Sequence, residues 1–158
     1  AKIEMWVAWE LMQVETRIPH RVFIVGDFST AVQLRKAHLL EADATHEVKV
    51  TVYNFLQHPV EGTVHISIPA TWQAEGALQQ PFAAQARSVS APISFSFQIP
   101  GSSSSWHHVS ASTPDRNVRL KVPPGLSSTA DVILRGTLND GTELMQMLYP
   151  VYVGRLED

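Results

Sequence analysis

The chain contains no cysteine, which removes thiol catalysis, cysteine-ligated zinc and disulfide staples together. A stray thiol is a liability in an oxidising compartment, so its absence suits an exported protein. No apolar run approaches the ~20 residues that cross a bilayer as a helix, and no basic-then-apolar leader precedes the first candidate strand. Charge is sparse. With 12 basic and 15 acidic residues and neither sign clustered, the net of −3 leaves no footprint for nucleic acid and no polybasic membrane patch. A Gly-rich phosphate loop, an Asp-rich calcium loop and a Gly-x-Ser-x-Gly elbow are all missing, so nothing announces a nucleotide, a calcium ion or a serine nucleophile.

What is present is enough for a core. At 158 residues and 44% apolar composition, one domain buries roughly two-thirds of its unfolded surface without a metal or disulfide. The expected organisation is a single domain over 1–158, with 1–20 a linking segment from a preceding domain. The start at Ala1 rather than methionine, directly into structured-looking sequence, reads as an excised or processed piece of a longer protein.

Strict alternation is the strongest signal. Val48, Val50 and Val52 interleave with Glu47, Lys49 and Thr51, which in an extended chain puts the valines on one face and the polar groups on the other. The pattern recurs through Val64, Ile66 and Ile68, through Ile93, Phe95, Phe97 and Ile99, through Val118, Leu120 and Val122, and through Val132, Leu134 and Leu138 with Gly136 in register. Turn residues separate these runs, at Pro59, Glu61-Gly62, Pro69-Ala70, Pro100-Gly101, Pro123-Pro124-Gly125 and Asn139-Asp140-Gly141. Asp140-Gly141, set between apolar strands, predicts a hairpin.

The last strand, Thr142 to Val153, is apolar on both faces and predicts a central position, bending or reaching an edge at Pro150, which has no N–H to donate. Arg21 to Val25 and Val32 to Leu40 read as shorter strands, the second bulged around Arg35-Lys36. The opening stretch through Val14 alternates as a strand and also fits a helical face; strand is preferred. Glu75 to Arg87 and the Ser-rich Gly101 to Asn117 read as loops. Seven to nine strands with short connections predict an all-β, immunoglobulin-like antiparallel β-sandwich, since a lone sheet with one apolar face needs a cover.

The run Val48 to Phe55, then Pro59 to Pro69 and Trp72, resembles bacterial Ig-like accessory domains of the NEW3 type associated with carbohydrate-active enzymes such as α-galactosidases. The Ser88 to Pro100 segment fits the next element of that pattern, so the resemblance covers about 45–100, and macroglobulin-type domains share part of it. The resemblance implies a non-catalytic sandwich within a multidomain exported protein. Asn54 has its own physical reading, a side-chain amide that satisfies a turn's backbone, and Trp72 reads as a cap on one end of the core.

Candidate chemistry is thin. His107 and His108 are the only dense pair among seven histidines, and neighbours on a strand point to opposite faces, which suits joint chelation poorly; no metal and no cofactor is expected. His65 reads as a solvated or cross-strand residue. Glu61, Glu75 and Asp115 carry no sign of convergence into a glycosidase pair. Trp106, beside the two histidines, is either a loop anchor or an exposed contact, and Trp106, His107 and His108 are the candidate ligand-binding residues. Trp6 and Trp9 face opposite ways on a strand, so one of them can mark a contact with a preceding domain. The expected function is interdomain spacing or interaction within a larger extracytoplasmic protein, not catalysis. Carbohydrate binding in a glycoside-active enzyme and a macroglobulin-like protease trap are the alternatives.

Overall fold

Alternating valines make one long strand the spine of the fold, and a computed structural model shows what it pairs with. The described residues are 21–34, 37–101, 105–112 and 117–157; the opening segment with Trp6 and Trp9 lies outside them. The strands are β1 (Val22–Asp27), β2 (Val32–Leu34), β3 (Ala37–Glu41), β4 (Ala44–Asn54), β5 (Val60–Ser67), β6 (Gln73–Glu75) and β7 (Gln79–Ala84). They continue as β8 (Ser88–Val89), β9 (Ile93–Ile99), β10 (His107–Ser112), β11 (Asn117–Val122), β12 (Thr129–Leu138) and β13 (Met147–Leu156). One sheet runs β1-β4-β9-β6, with β8 extending the β9 side of β4; the other runs β10-β11-β13-β12-β5-β7, with the β2-β3 pair laid along β13. All pairings are antiparallel except β3 with β13. The architecture is the all-β, immunoglobulin-like sandwich that the alternation predicts.

The described strands number thirteen rather than seven to nine, because short edge pieces flank the long ones. Three local expectations are corrected. In place of one bulged strand over Val32–Leu40, β2 and β3 pair antiparallel with Leu34 opposite Ala37; a one-residue slip in alternation marks a chain reversal as well as a bulge. Within the expected loop from Glu75 to Arg87, β7 is a strand against β5 that buries Phe82 and Ala84. It tolerates Pro81 because it lies at the sheet edge, where a missing donor breaks no ladder. Within the expected loop from Gly101 to Asn117, β10 pairs along the whole of β11.

The Asp140-Gly141 turn is present: the Gly141 N–H donates to Leu138 O at 2.9 Å and Gly141 takes φ +92°. Asp140 Oδ1 accepts from Thr142 N at 2.9 Å. The Thr142 hydroxyl first, and then its amide, hold the Asp140 carboxyl below the usual carboxylate range. Regular pairing of β13 begins only at Met147, later than the Thr142 expected. Pro150 is opposite Asp131 of β12, just before β13 gains β3 as a second neighbour at Tyr152.

The main core forms where the inner faces of the sheets meet, through Val48, Val50, Val52, Phe95, Phe97, Ile66 and Leu134. Trp72 closes one end, stacked on Phe97 with ring centroids 5.0 Å apart, as its position after the Pro69 turn predicts. The buried polar residues His46, Asn54 and Ser90 are all hydrogen-bonded, whereas Arg21 Nε and His38 Nδ1 are buried without a hydrogen-bond partner. Asn54 Nδ2 donates to His58 O at 2.9 Å and Gln85 O at 3.0 Å, while its Oδ1 accepts from Leu56 N at 2.9 Å. One amide thereby ties the ends of β4 and β7 to the β4–β5 turn. His46 Nε2 lies 2.7 Å from Glu41 O, and since a carbonyl only accepts, Nε2 carries the proton and Nδ1 accepts from the Thr30 hydroxyl at 3.0 Å.

A second, smaller core stands apart. Leu34, Ala37 and Leu39 from β2–β3 meet Ala111, Val118, Leu120 and Val122 from β10–β11. The two hairpins clasp the C-terminal half of β13, which contributes Tyr152 and Leu156 to the small core and Val151 and Val153 to the main one.

Candidate functional site

The three residues singled out from sequence sit together at the start of β10. Trp106 is half-buried against the main core. Its Nε1–H donates to Gly101 O at 2.9 Å, and the Arg155 guanidinium lies over its ring, 4.9 Å from the centroid. A side chain at Gly101 would run into Pro123 and the indole at 2.8 and 3.1 Å, so glycine there is what lets the ring lie flat on the chain. Trp106 is thus an anchor with one face covered by a cation, an arrangement in which the π-face attracts the guanidinium.

His107 and His108 are both exposed and, as neighbours on a strand, take opposite sides of it. His108 points away from the small core and donates from Nδ1 to Glu157 Oε2 at 2.8 Å. Arg119 Nε approaches the same oxygen at 3.7 Å. The His108 hydrogen bond above all holds the Glu157 carboxyl below its ordinary value; desolvation, next in size, opposes it, and the charges of Arg119, His108 and Lys121 add to the lowering. Among the described residues no group of three or more His, Asp or Glu side chains is placed to hold a metal ion.

Register explains why these residues meet. His108 lies opposite Lys121 on β11, and Lys121 lies opposite Arg155 on β13, so the three occupy one row on the side away from the small core. Ser110 lies opposite Arg119 in the next row, where Glu157 N donates to Arg119 O at 2.9 Å. Gly154 makes the junction between β11 and β13 possible: at φ +141°, a Cβ there would stand 2.6 Å from Lys121 O. Sequence reasoning missed Arg119, Lys121, Arg155 and Glu157. Alternation in Val118–Val122 already pointed Arg119 and Lys121 outward, but only strand order brings Arg155 beside them.

The outer face of the other sheet carries a second cluster. Phe23 on β1, Tyr53 on β4 and Val89 on β8 are in register across three strands, flanked by Val25 and Phe55. All five are between 37 and 49% exposed. The Phe23 and Phe55 rings meet edge to face, 5.9 Å apart at 69°. Phe23, Val25, Tyr53 and Phe55 occupy the alternate positions where a half-buried strand carries polar groups, and that departure was the readable signal. A shallow cleft of about 200 Å³ beside the cluster is lined by Tyr53, Phe55, Arg87 and Val89 among others. The remaining sequence candidates do not assemble: Glu61 is on β5 of one sheet and Glu75 on β6 of the other, Asp115 lies outside the described residues, and half-buried His65 sits between Arg135 and Gln79 in the ladder.

No protein-family model matches the sequence, and no curated protein does. Among solved structures the chain is similar to a FixG-related protein from Vibrio parahaemolyticus, at 11% identity and TM-score 0.47, covering 84% of this chain and 96% of that one. It is similar also to the ASH/PapD-like domain 7 of human CEP192, at 8% identity and TM-score 0.39, covering 87% of each. A family 123 glycoside hydrolase from Clostridium perfringens matches at 8% identity and TM-score 0.37, over 87% of this chain and 28% of the enzyme. With TM-scores below 0.5, these likenesses carry neither fold nor role over to this chain.

Proposed function

We propose that this chain is a non-catalytic immunoglobulin-like module of a larger extracytoplasmic protein, and that it works by packing against a neighbouring domain of the same polypeptide. The supporting observation is the apolar row Phe23–Tyr53–Val89 with Val25 and Phe55, exposed on an otherwise polar sheet face. Contiguous exposed apolar side chains of this kind mark interaction surfaces, and aromatic residues rimmed by arginine are the composition that interface centres favour. That neighbour is the domain that precedes in the chain. Arg21 leads into β1 at the rim of the cluster, its carbonyl accepting from Phe55 N at 2.9 Å and its guanidinium donating to Phe55 O at 3.1 Å. The described chain therefore begins at the rim of the apolar row.

Two finer readings compete. A NEW3-like, carbohydrate-associated module would use the same rings on sugar, but the 69° angle between Phe23 and Phe55 does not offer the flat platform that a pyranose face packs on. A macroglobulin-like trap would require further sandwiches in series. Hydrogen exchange separates these readings. In the whole polypeptide, amides around Phe23, Tyr53 and Phe55 are expected to exchange about tenfold more slowly than in the 158-residue chain, with Phe55→Asp abolishing the difference. Equal exchange in the two would overturn the docking reading. Protection that appears only when a neutral oligosaccharide is added would overturn it in favour of sugar binding.

A further inference from the structure

We infer that the face formed by β10, β11 and the end of β13 binds an acidic polysaccharide, one bearing carboxylates or sulfates along an extended chain. This goes beyond domain docking and uses a different surface. Arg119, Lys121 and Arg155 are all exposed there, in a protein whose net charge is −3, and Glu157 is the acid placed among them, engaged by His108 and Arg119. Beyond its place in the ladder, the Lys121 side chain makes no hydrogen bond among the described residues, and its charge lies near Glu157. Arg155 is steadied by stacking on Trp106, which leaves its N–H edge available to an anion while restricting the side chain in advance of binding. Among the described residues the face therefore carries three cations, Arg119, Lys121 and Arg155, against the one acid Glu157.

The arrangement favours an extended polyanion over the other anionic partners. Lys121 and Arg155 stand opposite each other on adjacent strands, with His108 beyond Lys121 on the next. Neighbouring strands are about 4.8 Å apart, so the row spans about 10 Å across the strands. A single small anion would meet one or two of these groups; a chain laid across the strands meets each in turn. An acidic protein surface fits less well, because protein interfaces are organised around an apolar centre and this row has none. Single-stranded nucleic acid uses exposed rings on which bases stack, and the one indole here is already covered by Arg155. Serine at Ser110 adds an exposed hydroxyl in the second row, suited to sugar hydroxyls or sulfate oxygens.

The test is a titration of the 158-residue chain with heparin and with polygalacturonate, using dextran as a neutral control and polyglutamate and duplex DNA as rival polyanions. Binding to at least one acidic polysaccharide is expected, none to dextran, and affinity is expected to fall on the order of tenfold between about 50 and about 200 mM salt. Lys121→Ala and Arg155→Gln are each expected to weaken binding roughly threefold to tenfold, and the triple variant with Arg119→Gln to abolish it with the fold intact by circular dichroism. Lys121→Arg should restore what Lys121→Ala loses, and Arg135→Gln, on β12, should change nothing. Failure to bind either polysaccharide at low salt would overturn the inference, as would undiminished binding by the triple variant. Equal or tighter binding of polyglutamate or DNA would overturn the assignment to polysaccharide.

Discussion

The two cores of this molecule are built from the same alternating strands yet hold very different amounts of structure in place. The main core receives strands from both sheets, is closed by the Trp72–Phe97 stack, and is stitched at its ends by Asn54 and His46. Among the described residues, the small core is a clasp of two strand pairs on one strand, with seven buried side chains and no buried polar tie. Apolar burial stabilises in proportion to area, at roughly 25 cal/mol per Å², so the clasp has less to hold it. The candidate cationic face rides on that clasp, whereas the apolar row rides on β1 and β4 of the main sandwich. One surface stands on the larger core; the other stands on the smaller, for which the earlier opening is expected.

The comparison breaks most visibly in the main core. Phe97→Ala removes a fully buried ring from between Trp72 and His46, and a cost of about 3–5 kcal/mol is expected, read as a lower urea midpoint by circular dichroism. Exchange should accelerate together across β4, β5, β9 and β12, while β10–β11, exchanging through the smaller opening of the clasp, should change less. Loss of protection confined to β9 would mean that the sandwich does not unfold as a unit.

Leu120→Ala sharpens the same contrast from the other side. Leu120 is fully buried in the small core, and its truncation should cost the clasp about 2–4 kcal/mol. That loss is expected to appear as faster exchange at 107–112 and 117–122, while the urea midpoint of the sandwich moves by less than about a quarter of the Phe97→Ala shift. A midpoint shift as large as that of Phe97→Ala would show one cooperative core where two are drawn.

How much of this was readable beforehand follows the same division. Strands of the main core announce themselves because one face is fully buried, so Val48–Val52 and Ile93–Ile99 alternate without exception. Asn54 and Trp72 were legible because a turn amide and a ring after a proline turn have local reasons to be where they are. The clasp was harder: β10 contributes only Ala111 fully to a core, its serines and histidines look like loop, and the slip at Arg35-Lys36 reads as a bulge until Leu34 is seen opposite Ala37. Arg155 and Glu157 could not be placed beside Lys121 and Arg119 at all, because β13 switches partner at Gly154, and strand order is a long-range property that no local window contains.

The smallest expected effect concerns the ion pair at the edge of the clasp. Glu157 titrates below its ordinary value because His108 donates to it and Arg119 and Lys121 lie near. A carboxyl whose folded value is depressed contributes its stabilisation above its unfolded value, and loses it as pH falls through the folded one. Acidification through and below the ordinary carboxylate range should therefore free His108 and loosen β10 against β13, while leaving the main core untouched. Monitored by NMR, the His108 ring and the Glu157 carboxyl should shift together across that window, and Glu157→Gln should remove the coupled transition with little change in thermal midpoint. A His108 ring signal that ignores the titration of Glu157 would separate the two groups and leave Arg119 as the carboxylate's main partner.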